Sequence, residues 1–381
     1  MRPALIVLLT LSFCSVTAQN NRLVQHVLQN SKEINLNESD FKQFTFLDTL
    51  LKDKRIVLLG ESSHGTEEYS QLKLRLIRYL HEQLHFNVLL FESPFVPSSY
   101  VNLARDTASA ASLLRNSIQS IWHTETVLQV FDYIKSNKIS FGGFDPQYIP
   151  SPYHQQFITH AFTGSFQIKN SLLYLDRRID ETFHNSKLHL ALRDSFSLAY
   201  SEIAASLSKM NLSPLQQLVK QQAVSNSSYY KNLRKGNTRD SLMAKNFMWL
   251  ADSLHANGKI MVWAHNAHID KDAKSNSRFM GKLLSEHYKE QMYVIGLYMA
   301  NGKTALNNRT VIDVKKPTNG SLEDLLSGTG FKVSFVATRS DFFNRKLATL
   351  HGGKDKQSLN LSKSYDAVFF INGVHPPVYL K

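Results

Sequence analysis

Four apolar runs of this chain are each followed at once by side chains that can move protons. Arg55–Gly60 runs into Glu61-Ser62-Ser63-His64-Gly65, Asn87–Phe91 into Glu92, Ile139–Phe144 into Asp145, and Lys259–Ala264 into His265-Asn266-Ala267-His268. Singly, each has a plain structural role: a helix cap for Glu61 or Asp145, a satisfied core histidine for His265. Jointly they mean more, because gathering ionisable groups in one buried place costs on the order of several kcal/mol unless they pair or work. A histidine held by a carboxylate can serve as general base toward water. A second histidine can polarise a carbonyl or protonate a leaving group, and the set suits hydrolysis of an ester or lactone. Imidazole and carboxylate also suit zinc, iron or manganese, so a metal-dependent hydrolase on the same residues stays open.

The residues can meet only if the runs are neighbours. Continuous apolar stretches separated by helical patterns read as buried parallel strands, and Met292–Leu297, Lys332–Ala337 and Asp366–Ile371 extend the series. Ligands of an open parallel sheet bind outside the carboxyl ends of its strands, which is where all of these acids and histidines fall. The stretch 150–256 has no convincing strand and is rich in Leu, Gln, Ser, Asn and Tyr at helical spacing; Pro150-Ser151-Pro152 and Gly258 mark its limits. The expected fold is therefore α/β: a mostly parallel β-sheet flanked by helices and built from 19–149 and 257–381, with a large all-helical insertion folded over it. In the helix after the first strand, Tyr69, Leu72, Leu76, Tyr79 and Leu80 form one buried stripe. Lys73, Arg75 and Arg78 are expected on its surface, and the helix should end near His85.

Several better-known motifs fail on context. His81-Glu82-Gln83-Leu84-His85 matches the zincin pattern H-E-x-x-H, but it closes the helix that leads back to the second strand. A helix of that length carries these histidines to the edge opposite His64, where they are favourable cations at a helix C-terminus. Gly60-Glu61-Ser62-Ser63-His64 lacks the second glycine of a serine-hydrolase elbow, and His351-Gly352-Gly353 falls too near the C-terminus for a lipase oxyanion motif, so it reads as a flexible loop. There is no P-loop and no G-x-G-x-x-G after a strand. No cofactor is indicated by any motif.

Length and composition set the outer limits. The 381 residues are 43% hydrophobic and 20% charged, enough for a large core, and no fixed period runs through them. Arg2, the apolar run Ala4–Phe13 and Val16-Thr17-Ala18 have the layout of a signal peptide over 1–18, which implies a periplasmic or secreted protein. Acylation at Cys14 is the rival reading, but Phe13 makes a poor lipobox. Cys14 is the sole cysteine, so cleavage after Ala18 leaves no thiol, and disulfides, thiolate metal sites and cysteine nucleophiles drop out. No later stretch is apolar enough to be an integral membrane segment. With Arg2 gone, 43 basic residues against 31 acidic ones leave +12. The basic residues are scattered, in clusters as short as Lys52-Asp53-Lys54-Arg55 and Lys315-Lys316, with no basic helix, so the charge points to solubility or anionic surfaces and substrates instead of nucleic acid.

The residues at these strand ends resemble a known family. Leu58-Leu59-Gly60-Glu61-Ser62-Ser63-His64-Gly65 with Glu68-Tyr69 and Leu72-Lys73-Leu74-Arg75-Leu76 resembles the signature of the erythromycin esterases. So do Phe91-Glu92, Gly143-Phe144-Asp145, Arg239-Asp240-Ser241-Leu242-Met243-Ala244 with Asn246, and Ala264-His265-Asn266-Ala267-His268-Ile269. Ser321-Leu322-Glu323 and Tyr365-Asp366-Ala367-Val368-Phe369 continue the likeness, which covers about residue 45 to 375. The resemblance implies a hydrolase that opens macrolide lactones without a covalent intermediate. It places the base on His64, the partner carboxylates on Glu61 and Glu92, and a histidine pair on His265 and His268. Lys73 stands where some members have arginine, keeping the charge and losing the planar fork. Lys73, Asp145 and Arg239 are the expected substrate-binding residues, and the partner is a small-molecule ester or lactone. The macrolide-cleaving members are metal-independent, while proteins of similar fold include metal-dependent proteases and a haem-binding lipoprotein. A metal-dependent enzyme and a non-catalytic binder of haem or a hydrophobic ligand are the competing expectations. Resistance esterases generally act in the cytoplasm and this chain carries an export signal, so the resemblance bears on the reaction class more than on the substrate.

Overall fold

The computed structural model describes residues 23–147, 152–164, 166–233, 238–272 and 279–381. The expected signal peptide over 1–18 with Cys14, and the Pro150-Ser151 boundary, lie outside the described residues.

The apolar runs form strands because both faces of each are covered. Along β2 (Ile56–Leu59), Ile56 and Leu58 enter one core while Val57 and Leu59 enter the other. β3 (Val88–Pro94), β4 (Ser140–Asp145), β5 (Ile260–Trp263), β6 (Met292–Ala305) and β11 (Ala367–Val374) join it. These six run parallel in the order β4-β3-β5-β2-β6-β11. Parallel strands need helical crossovers, and the crossovers supply the two cores. The run 332–337 corrects the expectation of one more parallel strand: β8 (Val333–Ala337) pairs antiparallel with β11, and β1 (Ser31–Glu33) pairs antiparallel with β8 at the edge. Burial on two faces gives the same apolar run in either direction, so composition does not register the reversal. Three further strands stand outside this layer: β7 (Val311–Asp313) on the end of β6, and the hairpin of β9 (Lys346–His351) and β10 (Asp355–Asn360).

Between β4 and β5 the described residues form helices and their connections, with no strand. The principal helices are α2 (Pro152–Ala161), α3 (Phe166–Phe183), α4 (Arg193–Leu207), α5 (Pro214–Lys231) and α6 (Thr238–Trp249), numbered after the crossover helix α1 (Glu67–Leu84). Their apolar faces share one core with Ile56, Leu58, Leu90 and Val262, so this helical layer is continuous with one face of the sheet. No helix among the described residues is long and apolar enough to cross a membrane.

Helix α1 starts after Thr66 and stops at His85, which takes a left-handed conformation (φ 61°). His81 donates to or accepts from the Tyr133 hydroxyl at 2.9 Å. Both histidines of the H-E-x-x-H match are thus in the closing turn of α1. The expected surface position of Lys73 is overturned. Its side chain is completely buried, because its spacing from Tyr69, Leu72 and Leu76 places it inside the stripe.

Two glycines let the site loops approach the sheet. A Cβ at Gly60 would lie 2.1 Å from Asn266 Oδ1, and one at Gly65 would lie 2.3 Å from the Ala305 carbonyl oxygen. No side chain fits at either place.

Candidate active site

The carboxyl ends of β2, β3, β4 and β5 bring Glu61, Glu92, Asp145 and the His265 loop to one edge, at the point where neighbours β5 and β6 leave β2 on either side. Asn266 fixes the β5 loop there: its side-chain amide donates to the Leu297 carbonyl at 2.8 Å and its Oδ1 accepts from the Leu297 amide at 3.1 Å.

Glu61 is the centre of the first cluster and is 1% exposed. Its Oε1 accepts from His64 Nδ1 at 2.6 Å and Trp122 Nε1 at 2.9 Å; its Oε2 accepts from Lys73 Nζ at 2.6 Å and Trp263 Nε1 at 3.0 Å. Burial pushes its pKa up, but Lys73 and then His64 outweigh this and hold the carboxyl below its ordinary value. Four donors on one carboxylate satisfy it fully, which is what makes a buried charge tolerable. Burial in turn pulls the Lys73 ammonium down to about 8 against the pull of Glu61 and Glu92. Lys73 Nζ also sits 4.3 Å from the centre of the Trp263 ring. The lysine is therefore behind Glu61, away from the cavity wall, and cannot grip a substrate as expected.

The second cluster is built around Glu92. Its Oε1 accepts from Arg239 Nη2 at 2.7 Å and lies 3.2 Å from His268 Nε2, while Oε2 accepts from the His265 backbone amide at 2.9 Å. His268 Nδ1 donates to Asp240 Oδ1 at 2.7 Å. Burial works against the His268 imidazolium, yet Glu92 and Asp240 raise its pKa to about 10. Glu92 is correspondingly held well below the carboxylate range, with His268, His64 and Arg239 overcoming its burial. Arg239 grips Asp145 through Nε at 3.2 Å and Nη2 at 2.6 Å. The guanidinium pKa rises, as Asp145 and Glu92 outweigh burial.

His265 corrects another expectation. Its Nε2 donates to the Ser62 carbonyl at 3.0 Å and its Nδ1 accepts from the Ala267 amide at 3.1 Å. Burial, then the neighbouring His64, holds it well below the usual range, with Glu92 opposing. A neutral ring with both nitrogens engaged has no proton to hand to a leaving group. His268 is charged instead, and both its N–H groups are directed at carboxylates, Asp240 and Glu92.

His64 differs from both. Nδ1 is committed to Glu61, and Nε2 has no hydrogen-bond partner among the described residues. The ring stands edge-on to Trp122, 5.0 Å away, and to His265, 5.1 Å away. It lines a cavity of about 890 Å³ together with Glu92, Arg239, His265, His268 and His351. Ser62 is not a free nucleophile, since its hydroxyl pairs with Tyr69 at 2.8 Å and is 2% exposed as a residue. Among the described residues no three His, Cys, Asp or Glu side chains converge as a metal-ligand group.

All eight expected site residues fall in these two connected clusters, with Glu61, Lys73 and Asp145 behind the cavity lining. Four others, not among the expected site residues, join them: Trp122, Trp263, Asp240 and His351. Trp263 is simply the last apolar residue of β5, and Asp240 directly follows Arg239. His351 ends β9 and so belongs to an ordered hairpin, where the flexible loop was expected; its ring lies 4.7 Å from His265.

The family model for erythromycin esterase matches residues 81–374. This chain belongs to the erythromycin esterase family. The esterase-family match makes it a hydrolase, and the match begins beyond the loop that carries Glu61 and His64. "Putative hydrolase YbfO" of Bacillus subtilis (strain 168) is 29% identical, aligned with 100% of this chain and 98% of its own length. Erythromycin esterase type II of Escherichia coli is 23% identical over 81% of this chain and 86% of that protein. A solved mutant of the erythromycin esterase EreC in its open conformation superposes with a TM-score of 0.68 at 18% identity, covering 91% of this chain and 98% of that one. At that identity the likeness is one of fold.

Proposed function

We propose that this esterase-family hydrolase cleaves a carboxylic ester or lactone by direct attack of water, with His64 as general base. The observation that carries the reading is the Glu61–His64 pair: a 2.6 Å bond fixes Nδ1 as the protonated nitrogen and leaves Nε2 as the basic one at the cavity. Water adds to the acyl carbon as Nε2 takes its proton, and Glu61 stabilises the imidazolium. The tetrahedral intermediate then collapses, the C–O bond breaks, and the same Nε2–H protonates the departing alkoxide. A carboxylic acid and an alcohol leave, or one hydroxy acid if the substrate is a ring. No side chain is acylated, in keeping with the buried, engaged hydroxyl of Ser62. Glu92, with His268 and Arg239, forms a fixed polar wall opposite.

The substrate is a small ester or lactone, with macrolides in scope, and the leader-like 1–18 segment supports action outside the cytoplasm. The test is product mass after incubation with macrolides and simple esters. Gain of one water is the expected result, and His64→Ala should lower the rate by about 10²–10⁴. Activity retained within about tenfold in that variant removes His64 from the role.

A further inference from the structure

Ester hydrolysis needs a donor for the carbonyl oxygen as it becomes an oxyanion, and removal of one such donor is worth about 10²–10³ in rate. Two of the cavity's histidines and its arginine direct donors elsewhere. His265 and His268 use both ring nitrogens. Arg239 is held by Asp145 and Glu92 through Nε and Nη2. His351 is different: it lines the same cavity, is half-buried against His265, and its ring makes no hydrogen bond among the described residues.

Its position is fixed from two sides. Gly352 donates to the Ser62 carbonyl at 2.9 Å, the same oxygen that receives His265 Nε2, so the hairpin is tied to the loop carrying Glu61 and His64. Behind it the buried Glu323 accepts from the Leu350 amide at 2.8 Å and from the Thr349 hydroxyl. Lys315 donates to the Gly353 carbonyl at 2.8 Å and closes the turn from outside.

We infer that His351 supplies a ring N–H to the carbonyl oxygen of the substrate and stabilises the oxyanion formed when water adds. The inference rests on the ester-hydrolase reading above. Burial, with His64, His268 and Lys354 nearby, keeps this imidazole below its usual range against the pull of Asp355. A neutral ring offers one N–H without competing with His64 for the proton of water.

The test uses the full-length protein with His351→Phe, which keeps a ring against His265 and removes the donor, and His351→Asn, which retains an N–H. Each is assayed on an aryl and an alkyl ester of the same acid, alongside wild type and with melting temperatures recorded. His351→Phe should lower kcat by about 10²–10³ on both esters, with KM changed by less than about threefold and an unaltered melting temperature. His351→Asn should recover about tenfold or more of that loss. Retention of kcat within about threefold in His351→Phe overturns the inference, as does an equal loss in both variants. A loss confined to the alkyl ester also overturns it, because that pattern marks proton donation to the leaving group. If wild type turns over these esters while His351→Phe does too, only His351 is removed from the chemistry. If wild type turns over neither ester nor any macrolide, the ester reading falls and takes the inference with it.

Discussion

Replacing Lys73 by methionine should both destabilise this protein and slow its chemistry while leaving substrate affinity alone. Lys73 Nζ is 2.6 Å from Glu61 Oε2, and both side chains are buried, at 0% and 2% exposure. Deleting one partner of such a pair leaves a buried charge uncompensated, which costs about 3–5 kcal/mol. Trp122, Trp263 and His64 would still bond Glu61, which favours the lower end, about 3 kcal/mol. Urea unfolding at pH 7 should then show a midpoint about 1 M lower, for a slope of about 3 kcal/mol/M. The double variant Lys73→Met with Glu61→Gln removes both charges and should recover at least half of the loss, since a neutral pair of similar shape is often as stable as the ion pair.

The kinetic consequence has a definite direction. Without Lys73 the carboxyl of Glu61 rises, because burial, the largest influence on it, is then opposed by His64 without the ammonium. A Glu61 more readily protonated stabilises the His64 imidazolium less, so kcat should fall by about 10²-fold while KM stays put. Stability within about 1 kcal/mol of wild type would refute the charge pair. A raised KM with unchanged kcat would refute the placement of Lys73 behind Glu61 and return it to the substrate.

Further outcomes follow from the second cluster and from the supports. His268, raised to about 10, contributes stability that is complete below about pH 6.5 and is lost as pH rises toward 10. Between pH 6.5 and 8 the loss should be about 2 kcal/mol relative to His268→Gln, read by urea titration at each pH. Above pH 8 the lysine acts in the opposite sense: Lys73, lowered to about 8, favours folding progressively until its ordinary value is reached, so the decline should flatten. Trp122→Phe removes one charge-assisted bond from Glu61 and should cost about 1.5–3 kcal/mol, again by denaturant titration. Glu323→Ala frees the β9 hairpin from its buried anchor, so the Leu350 amide should exchange with deuterium faster while amides of β2 keep their protection.

Much of this architecture was readable because two-sided burial writes itself into composition. Strands covered on both faces must be apolar throughout, and the residue that ends the run is the first allowed to be charged, which is why Glu61, Glu92, Asp145 and His265 stand out in the chain. The direction of β8 was not readable, since that argument is blind to strand polarity. Lys73 lies where its spacing, and not its charge, places it. Positions 69, 72, 73 and 76 form one helical face, and charge alone suggested surface. A lysine within such a face requires a carboxylate in the core opposite, and Glu61 ends the strand on which α1 packs. The motif at His351 stands in the wrong chain order for a lipase, but chain order constrains a site only within a fixed topology. In this sheet the last hairpin returns across the end of β2 and ties to Ser62, so a residue near the C-terminus reaches a loop near the N-terminus. The histidines also sort by their bonds in a way their identities do not announce. Of the four at the cavity, two have both nitrogens engaged, one has a nitrogen held by a carboxylate, and one has its ring open. Only the last two can exchange hydrogen bonds with a substrate, so the division between base and oxyanion donor follows from which partners surround each ring.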